Sequence, residues 1–250
     1  MCKDCGCDHG TSVQIDGKEM HRHHHEHSHA EDVNIPILND NLLAAERNRG
    51  YFEAKGVWVV NVLSSPGSGK TTLLGKTAEM LKGRAKVGII VGDLATENDA
   101  ERLRAAGIPV IQITTGTMCH LDAGMIAKAA KEMDLDDLDI LIIENVGNLV
   151  CPADFDLGEN ERIVLLSTTE GEDKPLKYPP MFHTANIALI TKSDLAEATE
   201  FNRDLAMTNL KKIAHHADIL EVSSKTGQGM QEWCDLLLHH RSHEHHTHTH

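Results

Sequence analysis

Apolar residues in this chain gather into short uninterrupted runs set apart by longer stretches of mixed polarity. VWVVNVL at 57–63 lies between Lys55-Gly56 and a loop of Ser, Pro and Gly. A run this short and this apolar predicts a strand buried on both faces. The same pattern predicts strands at 86–91 (KVGIIV), 109–113 (PVIQI), 138–143 (LDILII), 162–168 (RIVLLST), 186–191 (NIALIT) and 218–223 (DILEVS). Between them, helices are expected over 70–82, 97–106, 121–133, 197–214 and 227–238. A further helix over 38–54 leads into the first strand, although Gly50 weakens its pattern. The strand at 162–168 has no long helix before it. Strands alternating with helices predict an α/β fold of three layers, with a mostly parallel central sheet covered on both sides. Ligands in such folds bind at the carboxyl ends of the strands.

The first such end carries SSPGSGKTT at 64–72, between a strand and a helix. Gly67 and Gly69 allow tight curvature, so that backbone amides, with those of Ser68 and Lys70, can cradle phosphate oxygens at a helix N-terminus. This is a P-loop pattern with Ser64 in place of its usual first glycine, and Thr72 closes it. Lys70 is expected to reach the β and γ phosphates, and Thr71 to ligate Mg²⁺. TKSD at 191–194 resembles the guanine-specificity motif of GTPases, in which Asp194 would accept from the guanine N1 and amino groups while the Lys192 stem stacks on the base. SSK at 223–225 resembles the supporting base segment, with Ser224 and Lys225. In this order the motifs favour GTP over ATP. Asp93 and Glu144 end the second and fourth strands. Asp93 could bind Mg²⁺ or position the attacking water, Glu144 could orient the metal, and either could be an ordinary solvated strand-end acid. Gly147 would let the segment after Glu144 approach the γ phosphate.

Composition narrows the partners. The formal charge is -14 with histidine neutral, which disfavours binding to nucleic acid. No apolar run of membrane-spanning length occurs, and the first residues form no apolar secretory leader. Six cysteines, three of them crowded at the N-terminus of a chain too large to need disulfide staples, together with a nucleotide domain predict the reducing cytoplasm and metal thiolates. Of 18 histidines, 14 fall in residues 1–34 and 239–250. Neutral imidazoles suit nickel, zinc and copper. The C-terminal run is interrupted by Arg241, Ser242, Glu244, Thr247 and Thr249, unlike a plain hexahistidine tag. The organisation expected is therefore a flexible Cys/His-rich metal-binding segment at 1–34, one domain at 35–238, and a His-rich tail at 239–250.

Cys2, Cys5 and Cys7 crowd MCKDCGC, where three thiolates with a backbone amine or amide could complete a square-planar Ni²⁺ site. Cys119-His120 follows the third strand and Cys151 the fourth. They are either inert core cysteines or a metal site near the nucleotide. Across a two-fold axis, two copies of Cys119 and Cys151 would offer four thiolates, suited to Zn²⁺ or Ni²⁺, with His120 as a fifth ligand or an orienting group. Cys234 is read as a packing residue, and His183, His215 and His216 as surface or core histidines.

Taken together, MCKDCGC, the histidines at 21–29, SSPGSGKTT, TGTMCHLD, ENVGNLVCPADFDLGE, TKSDL and VSSKTG resemble the HypB family of hydrogenase nickel-incorporation GTPases. The likeness covers residues 35–238 and the N-terminal motif. It implies a P-loop GTPase of low intrinsic turnover that works as a dimer, with nucleotide at or near the interface. It further implies delivery of Ni²⁺ during maturation of [NiFe]-hydrogenase, in concert with a small zinc-containing metallochaperone, HypA, and so indirectly with the hydrogenase large-subunit precursor. The family's interfacial ligands carry over onto Cys119, His120 and Cys151, its N-terminal nickel motif onto Cys2, Cys5 and Cys7, and its storage segment onto 21–29. The run at 239–250 departs from the family pattern. Two other roles stay open. A urease nickel GTPase would be expected to show Cys-Pro-His where this chain has Cys151-Pro152-Ala153. A metal-storage protein would carry vestigial GTP chemistry.

Overall fold

The computed structural model describes residues 13–20, 34–94 and 98–247. Cys2, Cys5, Cys7 and the histidines at 21–29 lie outside them. In chain order the elements are β1 (Val13–Ile15), β2 (Lys18–Met20), α1 (Asn34–Lys55), β3 (Trp58–Ser64), α2 (Lys70–Leu81), β4 (Val87–Asp93), α3 (Asn98–Ala105), β5 (Val110–Thr114), α4 (Ala123–Lys131), β6 (Ile140–Glu144), β7 (Glu161–Ser167), the short α5 (Lys174–Lys177) and α6 (Pro179–His183), β8 (Ile187–Thr191), α7 (Arg203–Ile213), β9 (Asp218–Glu221) and α8 (Met230–Thr247). All seven expected strands form one parallel array, β5-β4-β6-β3-β7-β8-β9. Every residue of β3, β6 and β8 is buried, which is why their sequences do not alternate.

The pleat sends successive side chains to opposite faces. Val60, Val62, Ile89, Ile142 and Leu165 meet α2, α3 and α8 on one face. Val59, Ile90, Leu141 and Ile143 meet α1 and α4 on the other, and Leu63, Val164 and Ile190 continue that face under α6 and α7. Trp233 fastens α8 to α2, donating from Nε1 to Thr77 Oγ1 at 2.9 Å within the first core. Cys234 is fully buried beside it, and burial pushes its thiol up to about 11, as befits a packing residue.

Three local outcomes differ from expectation. Residues 13–20 form a hairpin, turned by Asp16 and Gly17 at φ 44° and 75°, that adds β1 antiparallel to β5 and β2 antiparallel to β1. Both turn residues being left-handed is the hairpin signature. α7 starts at Arg203 rather than 197, because the Asn202 side chain accepts from Leu205 N at 3.0 Å and caps the helix there, just after Glu200 at φ 52°. α8 continues past 238 to Thr247. Its extension is tied down where β6, β7 and β9 begin: His240 Nδ1 meets Glu161, His240 Nε2 lies 3.3 Å from Asp218 Oδ2, and Arg241 pairs with Asp139. Among the described residues no helix is long and apolar enough to cross a membrane.

Candidate nucleotide and metal site

The loop between β3 and α2 is built for an anion. Gly67 and Gly69 sit at φ 73° and 95°, and no side chain caps α2, whose first turn therefore faces the loop. Ser64, standing where the pattern has glycine, is fully buried and has a structural use. Its Oγ lies 2.5 Å from Ser68 Oγ and accepts from Lys70 Nζ at 2.9 Å. Lys70 is itself buried, and burial pulls its pKa down against the opposing pull of Glu144. An ammonium folded back onto its own loop in this way is available to a phosphate that displaces the weaker hydroxyl contact. Thr72 follows Thr71 in the first turn of α2.

The segment after β8 lies across this loop. Thr191 Oγ1 donates to Ser68 O at 2.9 Å, and Lys192 Nζ donates to Gly67 O at 2.7 Å. Lys192 adopts φ 56° to do so. Asp194 Oδ1 accepts from Ser223 Oγ at 2.6 Å, which joins the TKSD segment to the SSK segment. Ser224 is half-buried and Lys225 exposed immediately beyond.

Two strand-end acids face the loop's other side. Thr71 Oγ1 donates to Glu144 Oε1 at 2.8 Å, whereas Glu144 Oε2 is buried without a hydrogen-bond partner. Burial pushes the Glu144 carboxyl up to about 7, opposed by Lys70 and by the Thr71 hydroxyl. In the paired β4 and β6, Val91 stands opposite Glu144, so half-buried Asp93 ends β4 two residues further along. Gly147 presses on the loop: a Cβ there would lie 2.9 Å from Pro66 Cα and 3.0 Å from Pro66 N. Glu170, after β7, was not singled out by its sequence. Burial pushes its carboxyl up, against the Ser65 hydroxyl and Lys174, Lys192 and Lys70. Its only sequence signal is its position just beyond a strand's carboxyl end.

Cys119 and His120 occupy the turn after β5, and Cys151 opens a 3₁₀ turn, Cys151–Asp154, after β6. β4 separates the two strands, yet the loops meet, because the His120 ring stacks on Phe155 at 3.8 Å and 22°. Cys119 Sγ lies 3.9 Å from His120 Nδ1. Both cysteines are half-buried thiols outside any disulfide, and Val150 beside Cys151 is 60% exposed. Among the described residues no three metal-ligating side chains converge on one point.

Beneath these loops runs a buried polar chain that the sequence did not reveal. Asn145 Oδ1 accepts from Leu121 N at 3.4 Å and Asn145 Nδ2 donates to Asn61 Oδ1 at 3.2 Å. Asn61 Nδ2 donates to Glu159 Oε1 at 3.1 Å, which also accepts from Arg162 Nε at 2.7 Å. Arg162 then donates to the carbonyls of Ala153 and Phe155, both at 2.8 Å. The chain therefore reaches from the residue after His120 to the turn that Cys151 opens. Its one sequence signal is a polar Asn61 inside an otherwise apolar strand.

The geometry agrees with what similar proteins are. The family model described as CobW/HypB/UreG, nucleotide-binding domain, matches residues 58–221. Hydrogenase maturation factor HypB of Escherichia coli strain K12 is 50% identical over 206 residues, which are 82% of this chain and 71% of that protein. The hydrogenase/urease maturation factor HypB of Helicobacter pylori is 42% identical over 214 residues, 83% of this chain and 88% of the relative. The crystal structure of HypB from Helicobacter pylori in complex with nickel superposes with a TM-score of 0.79 at 41% identity, covering 82% of this chain and 96% of that one.

Proposed function

The chain belongs to the HypB family, and from that premise we propose that it is a GTP-hydrolysing nickel metallochaperone that couples its nucleotide cycle to nickel insertion into [NiFe]-hydrogenase. The phosphates of GTP lie on the amides of Gly67, Ser68, Gly69 and Lys70, with the Lys70 ammonium on the β and γ oxygens and Thr72 in the first turn beneath. Asp194 reads the guanine edge, Lys192 stacks on the base, and Ser224 and Lys225 border it. Thr71, Glu144 and Asp93 form an all-oxygen donor set that fits Mg²⁺, and the orphaned buried Glu144 Oε2 supports this assignment. When bound, Mg²⁺ supplies charge neutralisation at the phosphates. Asp93 positions the attacking water, and turnover is low.

Nickel is the cargo. Cys119, His120 and Cys151 hold it, with a second copy of the chain completing the ligand set. The lack of three converging ligands among the described residues of one chain, and the exposed Val150 beside Cys151, support this dimer. Zn²⁺ competes for the same thiolates. Cys2, Cys5 and Cys7 hold nickel in the N-terminal segment, and a HypA-like chaperone in the cytoplasm receives or supplies it before the hydrogenase large-subunit precursor.

The observation that carries the reading is the step from Glu144 to Asn145. One residue is bonded to Thr71 on the nucleotide side, and the next to Leu121 beside His120. The test is a nickel titration of the full chain and of a Cys119→Ala/Cys151→Ala variant, with GDP and then with a non-hydrolysable GTP analogue, following oligomeric state throughout. Nickel affinity that changes with the nucleotide and tracks dimerisation, and that loses this dependence in the variant, is expected. Equal nickel binding in both states would reduce the protein to a metal store.

A further inference from the structure

The edge at which β7, β8 and β9 begin lies opposite the nucleotide and thiolate loops. There α6 ends at His183, and α7 ends at Ile213, just before His215 and His216. All three imidazoles are exposed, but the backbone beneath them is held by buried Phe182, Ala185 and Ala214. His183 Nδ1 lies 3.3 Å from Ile213 O. A carbonyl only accepts, so Nδ1 carries a proton, and in the neutral ring Nε2 keeps its lone pair. This is the arrangement in which a backbone carbonyl orients a metal-binding histidine. Among the described residues no carboxylate pairs with any of the three.

The ring spacing is that of shared ligands. His215 and His216 lie 5.2 Å apart between centroids at 83°, His183 and His216 5.7 Å apart at 86°, and His183 and His215 6.3 Å apart at 37°. With a metal–nitrogen distance of about 2.1 Å, a ring centroid sits about 3.2 Å from the ion, so tetrahedral neighbours stand about 5.2 Å apart. The nitrogens do not converge as the rings stand. Convergence requires the exposed His215 and His216 rings to turn about χ1 and χ2 toward His183, which the Ile213 carbonyl holds. The His-rich end of α8 docks on the same edge, where His240 reaches Asp218, two residues beyond His216.

We propose that His183, His215 and His216 form a binding site for a borderline divalent transition-metal ion, of the nickel and zinc class, on the folded domain. Three imidazoles from one edge leave the remaining positions to water. The site is therefore labile, suited to receiving an ion from a mobile donor and giving it up again. It uses none of the groups assigned to nucleotide or to the thiolate site, and it stands whether or not that function does.

The test is a Ni²⁺ titration of the full ¹⁵N-labelled chain, with Zn²⁺ as the diamagnetic control, beside a His183→Ala/His215→Ala/His216→Ala variant. In the parent chain, the amide signals of Thr184, Ala214 and Ala217 are expected to broaden away with Ni²⁺ and only to shift with Zn²⁺. In the variant that broadening disappears, bound nickel at saturation falls by one per chain, and GTP turnover is unchanged. Should the triple variant lose its folded spectrum, His216→Ala alone is read instead, with at least ten-fold weaker broadening at the same amides expected. Broadening that persists in the triple variant, or is undiminished in His216→Ala, would assign the ion to the α8 histidines and overturn the proposal. So would parent amides that stay sharp while other signals vanish.

Discussion

Glu144 is a carboxyl that the fold pays to bury, and replacing it with glutamine measures that cost. The substitution keeps an Oε1 acceptor for the Thr71 hydroxyl, 2.8 Å away, and removes only the charge. Burial pushes the folded carboxyl up to about 7 from an ordinary 4.5. Below pH 4.5 both folded and unfolded chains carry the proton, and Glu144 costs nothing. Between 4.5 and about 7 the unfolded chain binds fewer protons than the folded one, so stability falls as the pH rises. Above 7 the loss is complete. At about 1.4 kcal/mol per pH unit, the gap amounts to about 3 kcal/mol. Burial of Lys70, which pulls its own pKa down, acts in both proteins. Urea unfolding in EDTA and without nucleotide, at pH 5 and pH 8, should therefore show the parent losing roughly 2 to 3 kcal/mol relative to Glu144→Gln across that interval, the first part of the loss being already present at pH 5. Parallel pH profiles, within about 1 kcal/mol, would refute the claim that Glu144 is buried at a cost that a bound cation relieves.

Other substitutions probe separate parts of the site. Lys70→Ala should weaken GTP-analogue binding by about 10- to 100-fold in calorimetry, the worth of a charged hydrogen bond, and unchanged affinity would remove Lys70 from the phosphate site. Gly158→Ala should destabilise by at least about 3 kcal/mol in denaturant, because its φ is 89° and a Cβ would lie 2.6 Å from Ala45 O. A loss under about 1 kcal/mol would mean that α1 can move aside. Asn145→Ala should cost about 2 kcal/mol by orphaning Asn61, and should shrink the nucleotide dependence of nickel affinity. Full dependence in a folded variant would exclude the polar chain as the link.

The parallel strands were legible because burial on both faces keeps their runs almost wholly apolar, with only single polar residues such as Asn61 and Gln112 inside them. The phosphate loop was legible because its amides and glycines are neighbours in sequence. What escaped reading depends on distant partners. β1 and β2 are three residues each and become strands only by pairing with β5. The start of α7 hinges on a single capping side chain, while LAEATE before it reads as acceptable helix. His240 and Arg241 belong to a polar run that only acidic groups at the far ends of β6, β7 and β9 turn into a docked helix. Asn61, Asn145, Glu159 and Arg162 join residues up to 98 positions apart. Nothing local marks Glu144 as a carboxyl whose proton comes off near neutrality, since burial by packed neighbours sets that.

The link between the two sites reduces to one peptide unit. Asn145 N still donates to Val62 O, so the backbone remains paired to β3 past the end of β6. Along an extended strand consecutive side chains point to opposite faces. Glu144 accordingly meets Thr71 at the head of α2, and Asn145 meets Leu121 and Asn61 on the other face. A ligand at Thr71 that shifts the Glu144 backbone has to shift Asn145 with it, because the two flank one peptide. Asn145 bonds the turn after His120 directly and connects to the Cys151 turn through Asn61, Glu159 and Arg162, so under the proposed function its displacement is expected to reach both. Such coupling has to run both ways. Whatever factor separates nickel affinities in the GDP and GTP-analogue states must also separate the analogue-to-GDP preference of nickel-free and nickel-loaded protein. A nickel effect on that preference of a different size would mean that the two ligands meet somewhere other than at this peptide.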